Sequence, residues 1–144
     1  MNISLEPKDR GWLILKLNDY AAQASYLDDV PIDWLKSIHF SIANHLPLTL
    51  RLDEEGSEVF IVSYNDTVIL DNREDIEKHT IYKNYEIEDL SCKKLSRYIV
   101  DCIKENLDYF VTWLPESDHY NEEDRMKRKN YLLYLLNKCQ GVLK

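Results

Sequence analysis

Across Pro47 the spacing of apolar residues changes from helical to alternating, and this change constrains the fold more than any other feature of the chain. Before it, Trp34, Leu35, Ile38, Ile42 and Leu46 recur at helical intervals. Pro31 is tolerated in a first helical turn, and Asp29 stands at the N-cap position. After it, Leu48, Leu50 and Leu52 face one way while Thr49, Arg51 and Asp53 face the other, as on a half-buried strand. Pro47 marks the boundary because it restricts the residue before it and cannot extend helical hydrogen bonding. Glu54-Glu55-Gly56-Ser57 then reads as a loop with Gly56 available for a positive φ, and Glu58 to Tyr64 as the next strand. Asn65-Asp66 offers a two-residue turn into a strand from Thr67 to Leu70, which completes an antiparallel meander.

The flanking segments follow the same logic. Met1 to Arg10 is polar, with Glu6, Lys8, Asp9 and Arg10, and lacks the basic start and apolar centre of a signal peptide. Gly11 to Leu17 alternates as a buried strand, Asn18-Asp19 offers a turn, and Ala21 to Leu27 runs back as a second strand. Asp71 to Lys78 is a charged connection, and His79 to Ile87 reads as a strand with Ile81, Tyr85 and Ile87 on one face. Ser91 caps a long helix extending to Leu114, whose apolar stripe is Leu95, Tyr98, Ile99, Cys102, Ile103, Phe110, Trp113 and Leu114. Pro115 stops that helix, and Asn121 followed by Glu122, Glu123 and Asp124 opens the last one. The expected fold is α+β in a single domain, residues 1–144: an antiparallel sheet of five or six strands, one helix inserted after the second strand, and two C-terminal helices packed on one face. Trp34, Ile38, Leu50, Ile61, Ile99 and Ile103 are expected in its core. A chain of 144 residues suits one domain, and its three Gly and four Pro leave little room for flexible linkers.

Charge is distributed unevenly. Of the net −8, all falls between Asp53 and Glu77, where nine carboxylates face Arg73 alone. That window contains Asp53, Glu54, Glu55, Glu58, Asp66, Asp71, Glu74 and Asp75, the residues expected to meet a partner. An acidic sector repels nucleic acid, whose affinity comes from Lys and Arg at phosphates, and attracts a basic protein. A solvated face that keeps the protein soluble accounts for the same charges without a partner. No apolar run approaches the ~18 residues of a membrane span, so the expected location is the cytoplasm.

No catalytic, cofactor or metal motif stands out. His39, His45, His79 and His119 are far apart and lack ligand-spaced companions. Cys102 falls on an apolar helical stripe, where a thiol packs as a small hydrophobe. Neither a cofactor nor a metal is expected. The basic run Arg125 to Lys129 follows Glu122-Glu123-Asp124 closely enough to pair along the helix. The apolar run Tyr131 to Leu136 reads either as a core helix under the sheet or as a contact in a homodimer.

The succession S-Y-L-x-D from Ser25, a helix beginning P-x-D-W-L at Pro31, and a strand ending D-E-E-G-S-E at Asp53 resembles small bacterial immunity-type proteins of polymorphic toxin systems. The resemblance spans the first half of the chain. It implies a small acidic α+β protein, without enzymatic activity, that binds and blocks a toxin domain. The alternative from the residues alone is a small enzyme whose site is assembled from scattered His and carboxylate side chains. A cleft converging such groups would favour the enzyme, and a flat or convex acidic face the binder.

Cys92, Cys102 and Cys139 are an odd number without C-x-x-C spacing, and each sits in or beside a predicted helix. All three are expected to be free thiols. Alkylation of the freshly purified, denatured chain without reductant should modify all three, and recovery of an intramolecular disulfide would contradict the reading.

Overall fold

The computed structural model describes residues 2–73 and 83–144. Among these residues the fold is α+β, with two antiparallel sheets of three and four strands. The first sheet contains β1 (Ile3–Pro7), β2 (Trp12–Leu17) and β3 (Tyr20–Ser25) in that order. The expected polar N-terminal segment is therefore a strand. Its two apolar residues alternate, and pairing of Leu5 with Leu15 supplies the burial that so short a pattern does not announce. Gly11, at φ +80°, turns the chain between β1 and β2, and a Cβ there would meet Tyr26 Cδ1 at 2.9 Å. Asn18 at φ 55° makes the expected turn between β2 and β3.

Helix α1 (Val30–Asn44) follows the third strand rather than the second, because β1 adds one before it. Trp34, Leu35 and Ile38 are buried, Ile42 is partly so, and Leu46 lies beyond the helix and is exposed. Asp29 occupies the N-cap position but its side chain makes no capping hydrogen bond. Its carboxylate instead receives two hydrogen bonds from Arg128, each 2.9 Å long.

The second sheet is the expected meander with one further strand: β4 (Leu48–Asp53), β5 (Glu58–Ser63), β6 (Thr67–Asp71) and β7 (Lys83–Ile87). Ser63 pairs with Thr67, so the β5–β6 loop holds Tyr64 as well as Asn65 and Asp66. Part of the expected strand from His79, including Ile81, lies outside the described residues.

The predicted long helix to Leu114 is broken. It comprises α2 (Cys92–Glu105), capped by Ser91 as expected, and a five-residue α3 (Leu107–Val111). At the break, Asn106 Nδ2 donates to the Cys102 carbonyl at 2.8 Å, the local side-chain competition that makes Asn a poor interior helix residue. Phe110 and Trp113 still reach the core, and the Trp113 indole donates to the Asp28 carbonyl at 2.8 Å. Pro115 begins a 3-10 turn (Pro115–His119) before α4 (Glu122–Val142), which opens with a full capping box between Asn121 and Asp124.

Among the described residues, the single sheet expected from the sequence is thus two sheets, in contact at β3 and β4 without a backbone ladder between them. Of the C-terminal helices, α2 lies against β1, whereas α4 packs chiefly on α1 and α3. Leu132, Leu135 and Leu136 of the apolar α4 run are buried, while Tyr131, Leu133 and Tyr134 remain exposed. Every residue expected in the core is buried, Trp34, Ile38, Leu50, Ile61, Ile99 and Ile103 alike. Replacing Ile99 or Ile103 by Ala should cost roughly 2–5 kcal/mol of stability in denaturant titration. A loss below about 0.5 kcal/mol would show that α2 presents another face to the core.

Candidate protein-binding surface

Strand alternation builds the acidic surface. On β4 the inward set Leu48, Leu50 and Leu52 leaves Arg51 and Asp53 on the outer face, and the hairpin register puts Glu58 opposite Asp53. The Arg51 guanidinium gathers three carboxylates: its Nε donates to Glu58 at 2.9 Å, Nη1 to Asp28 at 3.1 Å, and Nη2 to Asp53 at 3.3 Å. The hydrogen bond to Glu58, reinforced by Asp28 and Asp53, holds the Arg51 pKa above its ordinary value.

Arg73 forms a second node. Its Nε donates to both Asp71 oxygens at 3.0 and 2.9 Å, its Nη2 to the Tyr20 hydroxyl at 3.1 Å, and its Nη1 to the Ala21 carbonyl at 3.3 Å. The Tyr20 hydroxyl in turn donates to Asp71 at 2.9 Å. Glu54 joins the group, 3.7 Å from Arg73 Nε, and accepts from the Gln23 backbone N–H at 3.0 Å and from the Ser57 hydroxyl at 3.1 Å. Burial alone would raise the Asp71 carboxyl, but hydrogen bonds from Arg73 and Tyr20 outweigh it and hold the pKa below the usual carboxylate value. Burial and the hydrogen bond to Asp71 push the Tyr20 hydroxyl up.

The eight expected partner residues therefore have different situations. Asp53 and Glu58 stand at the Arg51 node, and Asp53 also accepts the Glu55 backbone N–H at 2.9 Å. Glu54 and Asp71 are turned inward, with side chains only 12% and 5% exposed. Glu55 is exposed at the hairpin tip, where it adopts φ 57°. Asp66 lies at the opposite end of β5, about 17 Å away at the usual strand rise, and accepts the Asp89 backbone N–H at 2.7 Å. Glu74 and Asp75 lie outside the described residues. The structure brings together Asp53, Glu54, Glu55, Glu58 and Asp71 at one end of the second sheet and separates Asp66 from them. Sequence reasoning missed Asp28, Tyr20 and the organising role of Arg51. The only signal was the outward position of Arg51 between Thr49 and Asp53.

Two of the surface clefts among the described residues have other chemistry. One of about 340 Å³ is lined by His45, Ser91 and Cys92 among others, with no carboxylate in its lining. Burial pushes the Cys92 thiol above its usual value, away from the thiolate that a nucleophile requires. A second, of about 460 Å³, lies between α1 and α4 and contains Lys36, Lys127, Tyr131 and the capping Asp124 beside Arg128, which is committed to Asp29. Among the described residues, no group of three or more His, Cys, Asp or Glu is arranged to hold a metal ion, and no helix is long and apolar enough to cross a membrane.

Compared with known protein families, with curated proteins and with solved structures, the chain matches none. The geometry of its own residues carries the functional argument.

The Asp71 clamp has a defined pH signature. A carboxyl whose pKa is lowered on folding stabilises the protein above its unfolded value, about 3.9, and that contribution is lost as pH falls through the folded value. Asp71→Asn should therefore lower the melting temperature near neutral pH, with the difference from wild type shrinking towards about pH 2–3. An unchanged difference across that range would remove Asp71 ionisation from the stability of the fold.

Proposed function

We propose that this protein is a non-enzymatic, cytoplasmic binding module of the immunity kind, which takes a basic toxin domain on the acidic end of its second sheet. The observation that carries the reading is the arrangement around Arg51 and Arg73. Five carboxylates, from Asp28, Asp53, Glu54, Glu58 and Asp71, surround two guanidinium groups and leave a negative surplus. Hydrogen bonds hold these groups in place before any partner arrives, so little ordering remains to oppose binding. Carboxylates at an interface rim, here the exposed Glu55 and the half-buried Glu58, act mainly on encounter rate and on the choice of partner, and the module blocks a toxin surface by occupying it.

The clamp residues Glu54 and Asp71 are poor choices for a functional test, because their loss disturbs the contact between the sheets. Glu55→Gln combined with Glu58→Gln removes one exposed and one half-buried charge and leaves that clamp in place. With a basic protein captured at low salt, this double variant should associate more slowly than wild type, and its rate should depend less on ionic strength. Equal association rates at low salt would exclude this end of the sheet from the interface.

A further inference from the structure

Strands β5 and β6 are apolar on both faces. Val59, Ile61 and Ile69 are fully buried in the core, whereas Phe60, Val62, Val68 and Leu70 point the other way and are partly exposed. The register sets Val62 opposite Val68 and Phe60 opposite Leu70, so the four side chains form one block two strands wide. On β4 the same face continues as Thr49 and Arg51, and on β7 as Glu86 and Asn84. All four of these flanking residues are exposed. The outer face of an antiparallel sheet is ordinarily polar, and an apolar block with a polar rim has the anatomy of an interface.

We infer that this outer face of β5 and β6 docks a basic protein surface, seating an aliphatic or aromatic side chain on the Phe60–Val62–Val68–Leu70 block with lysines or arginines around it. The inference rests on the basic-partner reading above and adds to it an apolar centre. Charge selects the occupant. Beside the block, Arg51 is already shared by Asp28, Asp53 and Glu58, and Glu86 stands on the far side. A partner that covers these carboxylates must answer them with positive charge, because desolvated and unpaired they oppose binding. The apolar block then supplies the affinity that rim charge does not.

The test uses isotope-labelled full-length protein, followed by amide chemical shifts at low salt. It is titrated with three synthetic peptides: alternating Lys-Leu, alternating Lys-Ser and alternating Glu-Leu. The Lys-Leu peptide should shift the amides of Phe60 to Val62 and Val68 to Leu70 and bind roughly tenfold more tightly than Lys-Ser. The Glu-Leu peptide should not bind. Val62→Thr with Val68→Thr keeps β-branched residues in the strands and should abolish the preference for Lys-Leu, whereas Glu58→Gln should weaken both cationic peptides. Should the double variant fold poorly by circular dichroism, the comparison of peptides on wild-type protein still decides. Equal binding of Lys-Leu and Lys-Ser, or shifts centred on α1 and α4, would overturn the apolar centre and leave the basic-partner reading standing. Failure of both cationic peptides to bind would overturn both. Concentration-dependent shifts of the same amides in protein alone would make a second copy of the chain the occupant and overturn the inference.

Discussion

The fold depends on how one strand edge is satisfied. Among the described residues, strand β3 has no backbone ladder on the side facing β4, and an unpaired edge exposes backbone donors and acceptors that need partners. Here Glu54 takes the Gln23 N–H and Arg73 donates to the Ala21 carbonyl, so two charged side chains from the second sheet occupy positions that a neighbouring strand would fill. Tyr20, itself on β3, closes the circuit through Asp71 and lies with its ring 5.2 Å from the Arg73 guanidinium carbon. Two meanders with separate ladders are thereby tied to one another.

A comparable tie joins the helices. Arg128, 8% exposed, bridges the Asp29 carboxylate and the Phe110 carbonyl, and so connects α4 with the start of α1 and the end of α3. The basic run that contains it is not simply a solvated stripe. Lys127 pairs with Glu123 one turn earlier on α4, as expected from the sequence, whereas Lys129 reaches Asp108 on α3. Charge on α4 therefore serves internal connection at several positions, and the balance of surplus charge stays with the second sheet.

That balance gives the proposed interface its form. Inward carboxylates such as Asp71 are committed to internal hydrogen bonds, and the proposed interface uses those that remain at the rim, Glu55 and Glu58 foremost. A rim of charge steers encounter, while durable binding requires dry apolar contact at the centre. In the proposed interface the outward residues of β5 and β6 would be that centre, beside the acidic end. The division of labour explains why a count of carboxylates alone did not define the site.

The sequence by itself determined what depends on neighbours along the chain. The change of period at Pro47, the turn at Gly56, the cap at Ser91 and the capping box at Asn121 all follow from residues within a few positions of one another, as do the buried faces of α1, α2 and β4. Tertiary structure decided the rest. Strand β1 exists because Leu5 finds Leu15, and the break at Asn106 is set by a side chain competing with its own helix at a point without Gly or Pro to mark it. The separation into two sheets rests on contacts such as Gln23 with Glu54, 31 residues apart, and the tie between helices on Asp29 with Arg128, 99 apart. Periodicity reports which side of an element is apolar, but a carboxylate looks the same in sequence whether it faces water or a guanidinium. Only the folded chain, by placing Arg51 and Arg73 among them, showed which carboxylates are held by internal hydrogen bonds and which, like Glu55, stay exposed.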